Sequence, residues 1–286
     1  PVSGGPRGAE SRNLAIWVGG DKEVFDRCKP VLDSIGDKAY YVGPIGCGAI
    51  AQIQHLPFLT ELSEEFDVAV VCDASPLQAA YAAERFRIPR HVTDYRDVLG
   101  SDVEAVLLCH TDPKTEVAVA SLGAGKHVFV EKPLALDEST LSEVVRTAND
   151  HHQQTLTVGY NRRFAPMARR LKDFVAGVDG PLVMHYRVNA GALPSNHWVR
   201  DPEEGGGRIV GEVCHFVDLA RFLIAAPIAS VNASAAQASG VCDDLTATLN
   251  FSDGSLATIA YTAKGDTAYS KELVECYAGG TVVTID

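Results

Sequence analysis

The sequence has no unbroken run of eighteen apolar residues, and its first residues, Pro1-Val2-Ser3-Gly4-Gly5, form neither a charged leader nor an apolar one. No membrane-spanning helix and no targeting segment are therefore expected. Cysteine never occurs as a C-x-x-C pair: the seven thiols (Cys28, Cys47, Cys72, Cys109, Cys214, Cys242, Cys276) are scattered and odd in number. That excludes a zinc ribbon and a disulfide framework, gives no metal site, and fits a reducing, cytoplasmic setting. Basic charge is also short. With 25 Lys and Arg against 37 Asp and Glu, the formal charge is -12, so neither a nucleic acid nor an anionic membrane is expected as partner, although a compact anion can still bind a local basic site. Internal repeats and low-complexity segments are missing, as is an initiator Met, which reads as a processed, trimmed or partial chain.

What is present suffices for a full core: 286 residues at 46% hydrophobic content suit two domains better than one. Strand-like and helix-like segments alternate, with strands at 14–18 and 39–45 around a helix at 22–35. A helix at 49–62, a strand at 68–72, a helix at 77–86, a strand at 105–109, a helix at 115–124 and a strand at 127–130 follow, then a helix at 139–151 and a strand at 155–160. Strands separated by helices of this length predict an α/β, doubly wound parallel sheet covered on both faces. Beyond residue 165 come a helix, a strand at 182–190, a Pro- and Gly-rich loop to Gly207 and a helix at 212–223. Strands follow at 229–237, 244–251, 255–262, 271–277 and 281–285. Alternation such as Thr246-Ala247-Thr248-Leu249-Asn250-Phe251 predicts antiparallel strands with one wet face. This second part reads as an α+β domain with a mostly antiparallel open sheet, incomplete at its C-terminal end.

The sharpest motif is Gly46-Cys47-Gly48-Ala49-Ile50-Ala51, a G-x-G-x-x-A between strand and helix. Gly46 permits the tight turn, Gly48 lets backbone approach a pyrophosphate, and Ala51 lets the helix pack closely; the helix start adds free N–H donors. The next strand ends at Asp73, where an acidic side chain accepts from a ribose; the competing reading of Asp73 is a cap for the helix after Pro76. No Arg follows in Ala74-Ser75-Pro76, which favours NAD over NADP without excluding the latter. Pro44 cannot donate to a ladder, so the strand is expected to end at Gly43 or the turn to begin early.

The same loop, with Ala124-Gly125-Lys126-His127-Val128-Phe129-Val130-Glu131-Lys132-Pro133-Leu134-Ala135, Val158-Gly159-Tyr160-Asn161-Arg162-Arg163-Phe164, and Gly205-Gly206-Gly207 before His215-Phe216-Val217-Asp218, resembles the glucose–fructose oxidoreductase / inositol dehydrogenase family, Gfo/Idh/MocA, from about residue 43 onward. The resemblance implies a Rossmann domain followed by an open-sheet domain, and an NAD(P)-dependent enzyme acting on a CH–OH group of a sugar, inositol or nucleotide-sugar. It places Lys132 beside nicotinamide and substrate and makes His215 the acid/base. A His can take the hydroxyl proton and a Lys can stabilise the developing alkoxide; unaided by the motif, Lys132 reads as a solvated lysine and His215 as a core histidine satisfied by Asp218. Family members often carry an acid four positions before that His; here the place is Gly211, and Glu212 next to it either orients His215 or caps the helix. Glu131, Lys132 and Arg162 are candidates for the cofactor. Asn161, Arg163, His197 and Trp198 are candidates for the substrate cleft, with packing the equal alternative for the last two. An exposed edge at 281–286 predicts association, and relatives pair through this sheet, which implies a homo-oligomer.

Residues 1–45 instead resemble the end of the nucleotide domain of the 3-hydroxyisobutyrate dehydrogenase family, whose Ser-Gly-Gly string maps to Ser3, Gly4 and Gly5. That family's own dinucleotide loop is missing and its catalytic Lys falls on Gln52, so a β-hydroxyacid dehydrogenase is the weaker alternative. A junction at residues 43–48 leaves 1–38 as an appended βα segment, 39–160 as the dinucleotide domain and 161–286 as the substrate and oligomerisation domain. The rival from another class is a catalytically silent nucleotide-binding protein or non-functional fusion.

Overall fold

A computed structural model describes residues 40–111, 114–194, 196–200, 205–236 and 242–286, together with the backbone of β1 (Val2–Ser3) and β2 (Ala15–Ile16), which pair antiparallel. The helix expected at 22–35 and most of the strand expected at 14–18 lie outside these residues, as do Gly4 and Gly5. The chain divides into two compact units, Pro1–Gly159 and Tyr160–Asp286.

In the first unit, β3 (Tyr40–Ile45), β4 (Phe66–Val68), β5 (Val71–Cys72), β6 (His91–Val92), β7 (Ala105–Leu108), β8 (His127–Val130) and β9 (Leu156–Val158) form one parallel sheet. Its order is β6-β5-β3-β7-β8-β9, with β4 on β3. Successive side chains of a strand point to opposite faces, and β7 is apolar at every position because both faces are covered. Val106 and Leu108 join Ile45, Val128 and Val130 under α4 (Lys114–Gly123) and α5 (Glu138–Asp150). Ala105 and Leu107 join Val42, Val71, Leu56 and Leu59 on the other face, with Ala82 and Ala83 of α2 (Pro76–Phe86). This is the expected doubly wound architecture.

Pro44 stays inside β3, pairing in register with Leu107, and the expectation that it ends the strand is corrected. The N–H groups of Tyr40 and Gly46 donate to Glu65 and Cys72 on the second-strand side, so parity turns the nitrogen of Pro44 to that side as well. There the partner strand is interrupted between Val68 and Val71. The missing donor thus falls opposite a break, and the single strand expected at 68–72 is two short ones. A second proline divides the helix expected at 49–62: a π turn, Ala51–His55, precedes α1 (Leu56–Glu61), whose first turn holds Pro57. A proline ring crowds the carbonyl four residues earlier, and the wider turn accommodates it. Strand β6 and the short helix α3 (Tyr95–Leu99) were not expected.

The second unit holds a six-stranded sheet of β10 (Val183–Asn189), β11 (Ile228–Ala235), β12 (Leu245–Phe251), β13 (Leu256–Thr262), β14 (Glu272–Ala278) and β15 (Thr281–Ile285), in the order β11-β12-β13-β10-β14-β15. All pairs are antiparallel except β10 with β13. Helices α6 (Pro166–Ala176) and α7 (Cys214–Ile224) bury Leu171, Val175, Phe216, Leu219 and Leu223 against Met184, Tyr186, Leu249 and Ile259 of one sheet face. On the other face Val183, Leu256 and Tyr277 are each 39% exposed. No helix among the described residues is long and apolar enough to cross a membrane.

Candidate functional site

In the first unit, the candidate dinucleotide site lies at the C-terminal end of β3. Gly46 turns the chain at φ +92°, and a Cβ there would stand 2.5 Å from the backbone nitrogen of His110, so only glycine fits. Cys47 is fully buried, its N–H donates to Asp73 Oδ2 at 2.8 Å, and burial followed by the charge of Asp73 pushes its thiol up to about 12. The thiol is a packing element, not a nucleophile, at neutral pH. A Cβ on Gly48 would meet no atom within 4 Å; Ala49 and Ile50 face outward, and Ala51 is fully buried against the sheet. Asp73 Oδ1 accepts from Ser75 N–H at 2.8 Å, but the cap of α2 is Ser75 itself, whose hydroxyl accepts from Gln78 N–H. The carboxylate therefore braces the glycine loop, and with two N–H bonds made it keeps capacity for two more donors. Open backbone at Gly48, a helix start and an acid at the second strand fit the pyrophosphate and ribose of a dinucleotide.

Beside this loop, β8 runs out into Glu131 and Lys132. Glu131 N–H still donates to Leu108 O at 2.9 Å. Its Oε1 meets His55 Nε2 at 2.8 Å and its Oε2 accepts from Lys132 N–H at 3.2 Å. His55 comes from the π turn that follows the glycine loop, and its ring packs edge-on against Phe129 with centroids 5.2 Å apart. Glu131 thus ties the phosphate-loop helix to the backbone that carries Lys132. The Lys132–Pro133 peptide is cis.

In the second unit, His215 is 9% exposed on α7, with the edge-on ring of Tyr160 at 6.0 Å and Phe216 at 6.5 Å. Asp218 forms a two-toothed ion pair with Arg163. Arg162 grips Glu272 through Nε at 2.9 Å and Nη2 at 2.6 Å, while the Tyr186 hydroxyl donates to the same carboxylate. Burial works to raise the Glu272 carboxyl, and Arg162 with Tyr186 overcomes it, holding the group below its usual range. Glu212 lies in a π turn, Ile209–Val213; it accepts from Arg208 Nε at 3.0 Å and from the Tyr261 hydroxyl at 2.6 Å. At Gly211 a Cβ would press to 3.2 Å on Gly205 O and Val199, so a side chain there would require these neighbours to give by a few tenths of an ångström. Asn161 opens a short 3-10 turn, Arg162–Phe164, and is exposed. His197 Nδ1 takes Val199 N–H at 3.3 Å beside Trp198, which is 48% exposed.

Residues 41–160 match a family model described as an oxidoreductase family with an NAD-binding Rossmann fold, and residues 180–281 match the GFO/IDH/MocA C-terminal domain. From residue 41 onward, the chain belongs to the Gfo/Idh/MocA family. Residues 1–43 match the NAD binding domain of 6-phosphogluconate dehydrogenase, so two family patterns meet at 41–43. The chain is 34% identical over 203 residues to inositol 2-dehydrogenase of Acidothermus cellulolyticus, covering 70% of this chain and 58% of that protein. It is 29% identical over 188 residues to inositol 2-dehydrogenase/D-chiro-inositol 3-dehydrogenase of Lactiplantibacillus plantarum, covering 64% of this chain and 52% of that one. It thus spans less than two thirds of the length of either. Among solved structures, the fold is shared with myo-inositol dehydrogenase from Lactobacillus casei in complex with NAD(H) and myo-inositol (TM-score 0.75, 20% identity, covering 87% of this chain and 74% of that one). It is also shared with an oxidoreductase domain protein from Kribbella flavida (TM-score 0.77, 23% identity, covering 87% and 74%).

Within this Gfo/Idh/MocA chain, the structure brings Gly46, Cys47, Gly48 and Asp73 into one hydrogen-bonded loop and joins Glu131 to Lys132. It engages Arg162, Arg163 and Glu212 in ion pairs inside the second unit. Sequence reasoning passed over His55, Lys114 and Arg208. The first two sit at helical spacing from buried apolar neighbours, His55 four residues after Ala51 and Lys114 three before Val117, and a polar residue on an apolar stripe was the available signal there; Arg208 carried no such signal.

Proposed function

We propose that the protein is an NAD-dependent oxidoreductase that oxidises a ring hydroxyl of an inositol or related sugar-like polyol to a ketone. The observation that carries the reading is the Gly46–Ala51 loop closed onto Asp73, with the backbone of Lys132 tied to the same helix through Glu131 and His55. Gly48 and the helix start would hold the pyrophosphate, and Asp73 the ribose hydroxyls. Asp73 followed by Ala74, Ser75 and Pro76 offers no cation for a 2′-phosphate, which favours NAD over NADP. Bound there, the nicotinamide supplies the hydride acceptor for the substrate C–H bond. His215 takes the hydroxyl proton and Lys132 stabilises the alkoxide as charge develops.

The inositol dehydrogenases among its relatives support the substrate class. The exposed sheet face bearing Val183, Leu256 and Tyr277 supports self-association. Free cysteines at 47, 72, 109, 214, 242 and 276 support a reducing, cytoplasmic compartment. The test is NAD⁺ reduction with myo-inositol and a panel of cyclic polyols and sugars. Wild-type turnover is expected, with Lys132→Ala slowing it about 100-fold or more while NADH affinity stays within about threefold. NADH binding without turnover on any panel member would instead establish the catalytically silent reading.

A further inference from the structure

Lys114 opens α4 and is only 4% exposed. A cation is poorly placed there, because burial disfavours the ammonium and a helix start carries partial positive charge. Lysine is almost never buried without compensation. Its Nζ donates to the carbonyl of Glu131 at 3.0 Å and to the carbonyl of Lys132 at 3.3 Å. Both carbonyls lie just beyond β8, where the ladder no longer uses them. From the other side, Lys132 N–H is held by Glu131 Oε2 at 3.2 Å. The peptide frame of Lys132 is thus gripped at its N–H by a carboxylate and at its C=O by an ammonium.

We propose that Lys114 is a positioning residue that fixes the backbone from which Lys132 reaches the reacting oxygen. The inference rests on the reading of Lys132 as the group that stabilises the alkoxide. A shift of about 1 Å in a catalytic group costs on the order of 100-fold in rate, so a frame held on both sides has catalytic consequence. Lys126 is the internal comparison: its Nζ also donates to a carbonyl, that of Ser101 at 2.9 Å, at a place removed from the Lys132 frame.

The experiment compares wild type with Lys114→Met, Lys114→Arg and Lys126→Met, using amide hydrogen exchange over residues 130–135 and steady-state oxidation of myo-inositol by NAD⁺. Lys114→Met should raise exchange at the Lys132 amide about tenfold or more. It should lower kcat about 10- to 100-fold with KM within about threefold. Lys114→Arg keeps the donors and should restore much of both, and Lys126→Met should change neither. Unchanged Lys132 exchange in Lys114→Met overturns the inference, as does raised exchange with unchanged kcat. If Lys114→Met fails to fold, Lys114→Arg decides: retained protection at Lys132 supports the inference, and wild-type-like kcat with lost protection overturns it. A wild type that oxidises no polyol overturns the functional reading, and hydrogen exchange alone then decides whether Lys114 holds the frame.

Discussion

The two glycines of the phosphate loop should separate under the same substitution. At Gly46 the backbone stands at φ +92° and a Cβ would lie 2.5 Å from the His110 nitrogen and 2.8 Å from its Cα. A strained conformation costs about 1–3 kcal/mol and a forced core contact about the same again, so Gly46→Ala should lose about 2–6 kcal/mol of unfolding free energy. At Gly48 nothing stands within 4 Å of the added methyl and φ is not in the left-handed region. Gly48→Ala should therefore leave stability unchanged or raise it by about 0.5 kcal/mol through the unfolded chain. Yet the same methyl would enter the space where a pyrophosphate meets the backbone, at a cost of about 1–3 kcal/mol, or about 5- to 150-fold in Kd. Denaturant unfolding and NADH fluorescence titration on both variants measure the two quantities. If Gly48→Ala bound NADH as tightly as wild type, the dinucleotide would not approach this loop; if Gly46→Ala were as stable as wild type, the turn would not be sterically closed.

Two further outcomes follow from the polar contacts. His127 accepts the Thr155 N–H on Nδ1 at 3.0 Å, and burial holds its imidazole below the usual 6.5 despite Glu104. The unfolded chain takes the proton first, so stability present above pH 6.5 is lost as pH falls below it; urea unfolding between pH 7 and 5 should show a smaller slope in His127→Gln, and an equal slope would refute the cause. Arg162→Ala should cost about 2 kcal/mol by stranding the Glu272 carboxylate, with part regained in Arg162→Met/Glu272→Gln. NADH affinity should not change, and a loss of affinity at full stability would return Arg162 to the cofactor site.

The architecture was legible where a pattern is local. Period-3.6 and period-2 runs gave the two sheets and their helices, and Gly46-Cys47-Gly48 followed by a strand ending at Asp73 gave the loop. What escaped either depends on a partner far away in the chain or leaves no periodic signature. Pro44 looked like a strand terminator because its missing donor could be judged only against the break between Val68 and Val71 on the neighbouring strand. Pro57 sat inside an apolar helical run, and the π turn that accommodates it has no signature of its own. The ion pairs that hold Arg162 and Arg163 were not legible, because Glu272 and Asp218 are 110 and 55 residues away. Strand β6 and helix α3 are too short for any periodicity to register.

The proposed NAD site joins the loop at 46–51 and Asp73 on a first strand that lies where two family patterns meet. Titration of the whole chain with NADH and NADPH, followed by nicotinamide fluorescence, tests it most directly, with Asp73→Asn as the comparison. Saturable NADH binding, tighter than NADPH and weakened in the variant, is the expected result; binding of neither nucleotide, or equal binding unaffected by Asp73→Asn, would contradict it.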